Sequence, residues 1–152
     1  VDEVSPPLEE AHEKSVLVCQ DVFLLYEKGI LLANKFDFIS KKSFSPLGGT
    51  MERGVDDKTS LVNLIKRISN LDIKNIQELG IARIFLRSDP FKHEKGTDTL
   101  NLVYYAEAEG ELSIKDILYI PANKYSEFKK KIPLTPYVSD FLNLACQRAM
   151  GL

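Results

Sequence analysis

The stretch SFSPLGGTMERGVDDKTSLVNLIKRISNLDI, residues 43–73, decides how the chain is read. It opens on Phe44-Ser45-Pro46-Leu47, a strand end, and turns at Gly48-Gly49, where two residues without a Cβ permit a tight backbone path. Asp56 or Asp57 then supplies a helix N-cap, because a short carboxylate accepts from the free N–H groups of a first turn. Beyond it Leu61, Leu64, Ile65, Ile68 and Leu71 recur at spacings of three and four, which predicts an amphipathic helix of about four turns. The unit is strand, glycine turn, helix.

Upstream, VLVCQDVFLL (16–25) has the Val, Leu and Phe content of a buried strand. Tyr26-Glu27-Lys28-Gly29 supplies turn chemistry, with Gly29 free to take positive φ, and Ile30–Asn34 resumes the apolar run as the second arm of a hairpin. Downstream, Ile76–Leu86 reads as sheet, SDPFKHEKGTD (88–98) as a long charged loop, and Leu100–Ala106 and Ile117–Ile120 as two more strands. Pro121, Pro133 and Pro136 break the following region. Thr135-Pro136 makes a cap and first turn for a C-terminal helix with Val138, Phe141, Leu142 and Ala145 on one face. The layout strand–strand–helix–strand–strand–helix predicts a mixed sheet covered by helices, α/β (α+β) in class. Residues 1–15 read as an acidic, Pro-containing extension and 16–152 as one domain, with no internal repeat.

Composition narrows the function classes. The 152 residues suit one domain, and a hydrophobic fraction of 44% is enough for one core. With 20 Lys+Arg against 22 Asp+Glu the net charge is −2, so the basic surplus that phosphate backbones demand is lacking and a general nucleic-acid partner is disfavoured. No apolar run approaches the roughly 18 residues that cross a bilayer, and the acidic start is unlike a presequence. Cys19 and Cys146 lie outside any C-x-x-C pair and read as two buried thiols in a reducing compartment, which points to the cytoplasm. Lys129-Lys130-Lys131 reads as a solvated face.

Gly48-Gly49, followed by Glu52-Arg53-Gly54 and a helix that closes on Ile65 and Leu71, resembles the Nudix box. That box is the signature G-x5-E-x7-R-E-U-x-E-E-x-G-U, with U a bulky aliphatic residue, of hydrolases acting on nucleoside diphosphates linked to another group. The resemblance implies an α/β/α sandwich with a mixed sheet, and a box helix whose glutamates hold Mg²⁺ or Mn²⁺. Set on the pattern, the family's first glutamate falls on Val55, its arginine on Asn63, its next glutamate on Leu64, its two later glutamates on Arg67 and Ile68, and its late glycine on Asn70. From about Leu17 to Leu142 the chain resembles the GDP-mannose hydrolase branch, through Cys19-Gln20-Asp21, Thr99-Leu100-Asn101-Leu102-Val103-Tyr104 and Thr135-Pro136-Tyr137-Val138. That branch carries Leu where Leu64 stands, but keeps a glutamate at the position of Ile68 and uses a late histidine as base. This chain has only His12 and His93.

The resemblance nominates Asp21, Gly48, Gly49, Arg53, His93 and Asp98 for substrate binding. It leaves Glu52, Asp56 and Asp57 as carboxylates for a displaced Mg²⁺ or Mn²⁺, joined by one of Glu94 or Asp98. Each has a plainer reading. Glu52 is also a solvated loop acid, Arg53 a surface ion-pair partner, and one of Asp56 and Asp57 a helix cap. His93 is also an ordinary exposed loop histidine. Asp21 either points inward, where a carboxylate needs partners, or outward by strand alternation. Three functions stay open: a divergent nucleoside diphosphate-sugar hydrolase needing Mg²⁺ or Mn²⁺, a catalytically inactive module binding a nucleotide or nucleotide sugar without metal, and a homodimeric interaction domain.

Overall fold

The computed structural model describes residues 5–27, 29–36, 42–87 and 91–152. Helix α1 (Ser5–Lys14) leads into β1 (Leu17–Tyr26), β2 (Gly29–Phe36), β3 (Lys42–Ser45) and β4 (Leu47–Thr50). Helix α2 (Asp57–Ser69), β5 (Asp72–Leu86), β6 (Thr97–Glu109) and β7 (Ile117–Ile120) follow. A single 3-10 turn at Ala122–Lys124, α3 (Tyr125–Lys131) and α4 (Pro136–Ala149) complete the order. The strands form one mixed sheet in the order β3-β2-β1-β6-β5, with β4 added on β1 and β7 on β2.

β1 is the axis of this sheet. It runs parallel to β6 from Leu17↔Thr99 to Leu25↔Glu107 and antiparallel to β2, and its first half also takes β4, from Cys19↔Thr50 to Val22↔Leu47. Both faces of β1 are covered, which is why it reads as an almost continuous apolar run. Val22, Leu24 and Tyr26 enter a core with Leu61 and Ile65 of α2. Phe23 enters a second core with Val138, Leu142 and Ala145 of α4. The sheet therefore has one helical layer on each face.

The cap at the start of α2 is Asp56: its Oδ1 accepts from the Thr59 N–H at 2.6 Å, and Asp57 is the first helical residue. The helix ends on Asn70, in the left-handed region at φ 65°, with its N–H bonded to Lys66 O. Asparagine tolerates that conformation, so the position aligned with the box glycine still closes the helix. Thr135 caps α4, and Pro136 opens its first turn.

Some expectations change. Gly48 and Gly49 do not form a turn: both lie in β4, paired with Asp21 and Gln20 of β1. Gly29 does not take positive φ; Glu27 does, at 48°. The glycine is needed for close approach instead, since a Cβ there would lie 2.4 Å from the Ile120 carbonyl oxygen. β5 begins at Asp72 and β6 at Thr97, so the charged connection is shorter than its composition suggests. Helices α1 and α3, both charged and the first Pro-rich, escaped the periodicity reading. No helix among the described residues is long and apolar enough to cross a membrane.

Candidate functional site

Two buried polar networks flank the box loop, one on each face of β1. On the α2 face, the fully buried Gln20 donates from Nε2 to Asp57 O at 2.8 Å and to Tyr104 Oη at 3.3 Å. Ser60 Oγ donates to Gln20 Oε1 at 2.6 Å and accepts from the Glu52 N–H at 2.8 Å. Tyr104 then donates to Asp57 Oδ2 at 3.2 Å. One amide side chain thus ties the loop, the first turn of α2 and β6 together. Burial, first of all, pushes the Tyr104 phenol up from its ordinary value, so it stays a donor.

On the α4 face, Asp21 points inward and is only 7% exposed, which settles its orientation against the outward alternative. Its Oδ2 accepts from Tyr137 Oη at 2.6 Å and from Asn101 Nδ2 at 2.7 Å, while Thr99 Oγ1 donates to Asn101 Oδ1 at 2.6 Å. Gly48 lies opposite Asp21 in the ladder, and a Cβ on it would fall 2.0 Å from the carboxylate. Burial followed by the Asp21 charge drives the Tyr137 phenol far above its ordinary range. Asp21 and Gly48 are therefore parts of an internal anchor for α4. Tyr137, Asn101 and Gln20 were missed as polar partners, although Asn101 and Tyr137 lie inside the stretches Thr99–Tyr104 and Thr135–Val138.

The box helix carries no metal face. Leu64, 3% exposed, packs against Gly49, and Ile68 packs on the α2-side core. Arg67 is exposed. Alkyl groups donate nothing to Mg²⁺, and a guanidinium repels it. The three remaining carboxylates have separate partners: Asp56 caps α2, Asp57 accepts from Tyr104, and Glu52 Oε1 accepts from Asn63 Nδ2 at 3.3 Å. Among the described residues, no three His, Cys, Asp or Glu side chains converge to hold a metal ion. The residues present do not fit Mg²⁺ or Mn²⁺ at the box.

Arg53 is exposed in the loop after β4, beside Glu52. His93 faces inward: its Nε2 meets Nδ1 of the buried His12 at 2.7 Å, and its Nδ1 accepts from the Lys95 N–H at 3.1 Å. Asp98 takes a bidentate grip from Arg83 at 2.6 Å for both bonds, and those hydrogen bonds hold its carboxyl below the usual range. Asp98, Val16, Phe85, Lys95 and His12 line a hollow of about 160 Å³ at the end of the sheet. A larger hollow of about 330 Å³ is only a groove between side chains of α3, including Lys130 and Lys131. Of the nominated residues, Asp98 and, through His12, His93 meet at one place; Asp21 and Gly48 meet at another; Gly49 sits under Leu64.

Solved structures with the same architecture were found by comparison of folds. The MutT Nudix hydrolase from Burkholderia pseudomallei superposes with a TM-score of 0.63 at 14% identity, covering 86% of this chain and 98% of that one. The mutator MutT protein from Bacillus halodurans gives 0.61 at 15% identity, over 84% and 80%. The Nudix domain of Shewanella oneidensis NrtR, in complex with ADP ribose, gives 0.60 at 14% identity, over 90% of each chain. No family model and no curated protein sequence matches the chain. The chain has the Nudix fold.

Proposed function

We propose that this chain is a Nudix-superfamily protein that binds a nucleoside diphosphate derivative, a nucleotide or nucleotide sugar, without the metal-dependent hydrolysis for which the box is built. The observation that carries this reading is the donor set of α2. Leu64 and Ile68 are committed to packing, and Arg67 places a cation where the pattern has a carboxylate. A divalent ion supplies both charge stabilisation and an activated water in such chemistry, so losing its ligands removes the main source of rate.

The loop and the sheet face beside it remain suited to a ligand. Val18, Leu100 and Arg83 form one cross-strand row, on the face shared with Gln20, and Val18 is half-exposed. Arg53, exposed at the turn, offers a guanidinium to a diphosphate, which it grips through two parallel hydrogen bonds. The ADP ribose held by the Nudix domain of Shewanella oneidensis NrtR supports a ligand of this class on this fold.

The test is calorimetry with ADP-ribose and GDP-mannose, run beside an assay for Mg²⁺- or Mn²⁺-dependent release of nucleotide from each. Binding without release, weakened about tenfold or more in Arg53→Ala, is the expected result. Turnover at about 1 s⁻¹ or faster would restore the hydrolase reading. Failure of both compounds to bind would remove the ligand reading.

A further inference from the structure

We infer that two copies of this chain pair through the second half of β5, joining their sheets edge to edge about a two-fold axis at Arg83. Among the described residues β5 pairs only with β6, so its other edge presents unpaired backbone N–H and C=O groups. Edge strands that must stay single are protected by charged side chains, lysine above all, by proline or by bulges. Here the irregularities lie between Lys74 and Gln77 and between Glu78 and Gly80, in the first half of the strand. From Gly80 to Leu86 the ladder with β6 runs without a break, from Gly80↔Val103 to Leu86↔Thr97, and contains neither lysine nor proline; its one charge, Arg83, is paired with Asp98.

Among the described residues, the same seven carry the most exposed apolar side chains of the sheet. Ile81 is 65% exposed and Phe85 60%, and they flank Arg83 on the α2 face. In an antiparallel, isologous pairing centred on Arg83, Ile81 stands opposite the partner's Phe85 and Phe85 opposite the partner's Ile81. On the other face Ala82 meets the partner's Ile84. At the ends Gly80 meets the partner's Leu86. Both exposed apolar groups are thereby paired twice, as aromatic–aliphatic cross-strand neighbours. The two arginines at the centre stand opposite each other, a cost that pairing of each with its own Asp98 at 2.6 Å reduces.

Neighbouring registers that keep the faces aligned are worse. An axis at Ala82 sets Ile81 against the partner's Arg83, and an axis at Ile84 sets Phe85 against it. A shift by a single residue would turn core faces to solvent and is excluded by the pleat. The strand is thus complementary to itself in one register. That complementarity identifies the partner as a second copy.

The experiment is sedimentation of the purified chain from low micromolar to millimolar concentration, with cysteine cross-linking as a test of register. The expected mass is twice the 17.2 kDa of one chain, reverting to one chain in Ile81→Lys with the circular dichroism unchanged. In the proposed register, Cα atoms at position 83 lie about 5 Å apart across the axis, within reach of a disulfide. Those at position 81 lie about 14 Å apart, because they are four residues out of step. Under mild oxidation Arg83→Cys should cross-link and Ile81→Cys should not, with the wild-type chain as control for Cys19 and Cys146. A single-chain mass at all concentrations, a dimer indifferent to Ile81→Lys, or equal cross-linking at 81 and 83 would each overturn the proposal. None of these readouts involves a nucleotide, so the ligand proposal stands or falls separately.

Discussion

Gln20 and Asp21 are neighbours in the chain, both buried and both polar, yet they face opposite helical layers and hold them in opposite ways. Gln20 anchors α2 through a neutral amide, while the cap of that helix is the charged Asp56. Asp21 anchors α4 through a carboxylate, while the cap of that helix is the neutral Thr135. Each layer thus combines one charged and one neutral attachment, with the charge buried on one side and exposed on the other. A buried charge with its donors is costly to disturb, whereas an exposed one is screened by water. The α4 side should be the less tolerant of change.

Removing the buried charge is the most severe test. Asp21→Ala leaves the Tyr137 hydroxyl and the Asn101 amide without their acceptor, and hydrogen bonds to a charged group are worth more than neutral ones. Urea unfolding should show a loss of about 3–5 kcal/mol, from two buried donors left unsatisfied at about 1–3 kcal/mol each. Asp21→Asn, which keeps the shape but accepts more weakly, should lose less.

The neutral anchor comes next. Gln20→Ala deletes the bonds to Asp57 O, Tyr104 and Ser60, but Ser60 keeps the Glu52 N–H and Tyr104 keeps Asp57. The expected loss is about 2–3 kcal/mol, with faster amide exchange confined to the loop 51–56. A Gln20→Ala loss equal to that of Asp21→Ala would break the contrast between the layers.

How much of this was legible in the sequence follows from the same contrast. The box stretch predicted its cap and helix, because local rules govern them: a carboxylate at a first turn, and apolar spacing of three and four. Its glycine pair reads as a turn and is not one, because the β1 ladder that makes Gly48 and Gly49 strand residues comes from distant residues. The anchors could not be read that way. Asp21 acquires its partners from Asn101 and Tyr137, which are 80 and 116 residues away in the chain. Strand alternation alone gave it no side. Glu52, Asp56 and Asp57 are a second case: their spacing in the sequence allows a shared site, while the structure gives each a partner of its own. The replaced box positions were readable at once, since no fold turns Leu64 or Ile68 into an oxygen donor.

The α4 side also carries a thiol that makes stability depend on alkaline pH. Burial pushes the Cys146 thiol, on α4, up to about 11. A group whose folded value is raised stabilises the protein fully below its unfolded value, and that contribution is lost as pH rises towards the folded one. Stability should therefore fall from about pH 9 to about pH 11 by up to about 1.4 kcal/mol per pH unit for this group. Cys146→Ala should flatten that segment. Tyr137, raised by burial and then by Asp21, adds to a further decline above about pH 10 that Tyr104, Tyr105 and Tyr119, also raised by burial, share; Tyr137→Phe should reduce it.

The smallest effect belongs to the exposed charge at the other helix. The Thr59 N–H lowers the Asp56 carboxyl from its ordinary value, first through the backbone bond. The sign is opposite to that of Cys146: this contribution is present above the unfolded carboxylate value and is lost as pH falls through the folded one. Asp56→Ala should lower the thermal midpoint at neutral pH and make the acid limb of the stability profile shallower. Asp56→Ser should keep most of the midpoint, since a hydroxyl still accepts from Thr59, while making the acid limb equally shallow. The corresponding change at the other helix, Thr135→Ser, should leave the acid limb as it is, because no charge is involved there. An acid limb unaltered in Asp56→Ser would mean that the pH dependence of α2 resides elsewhere.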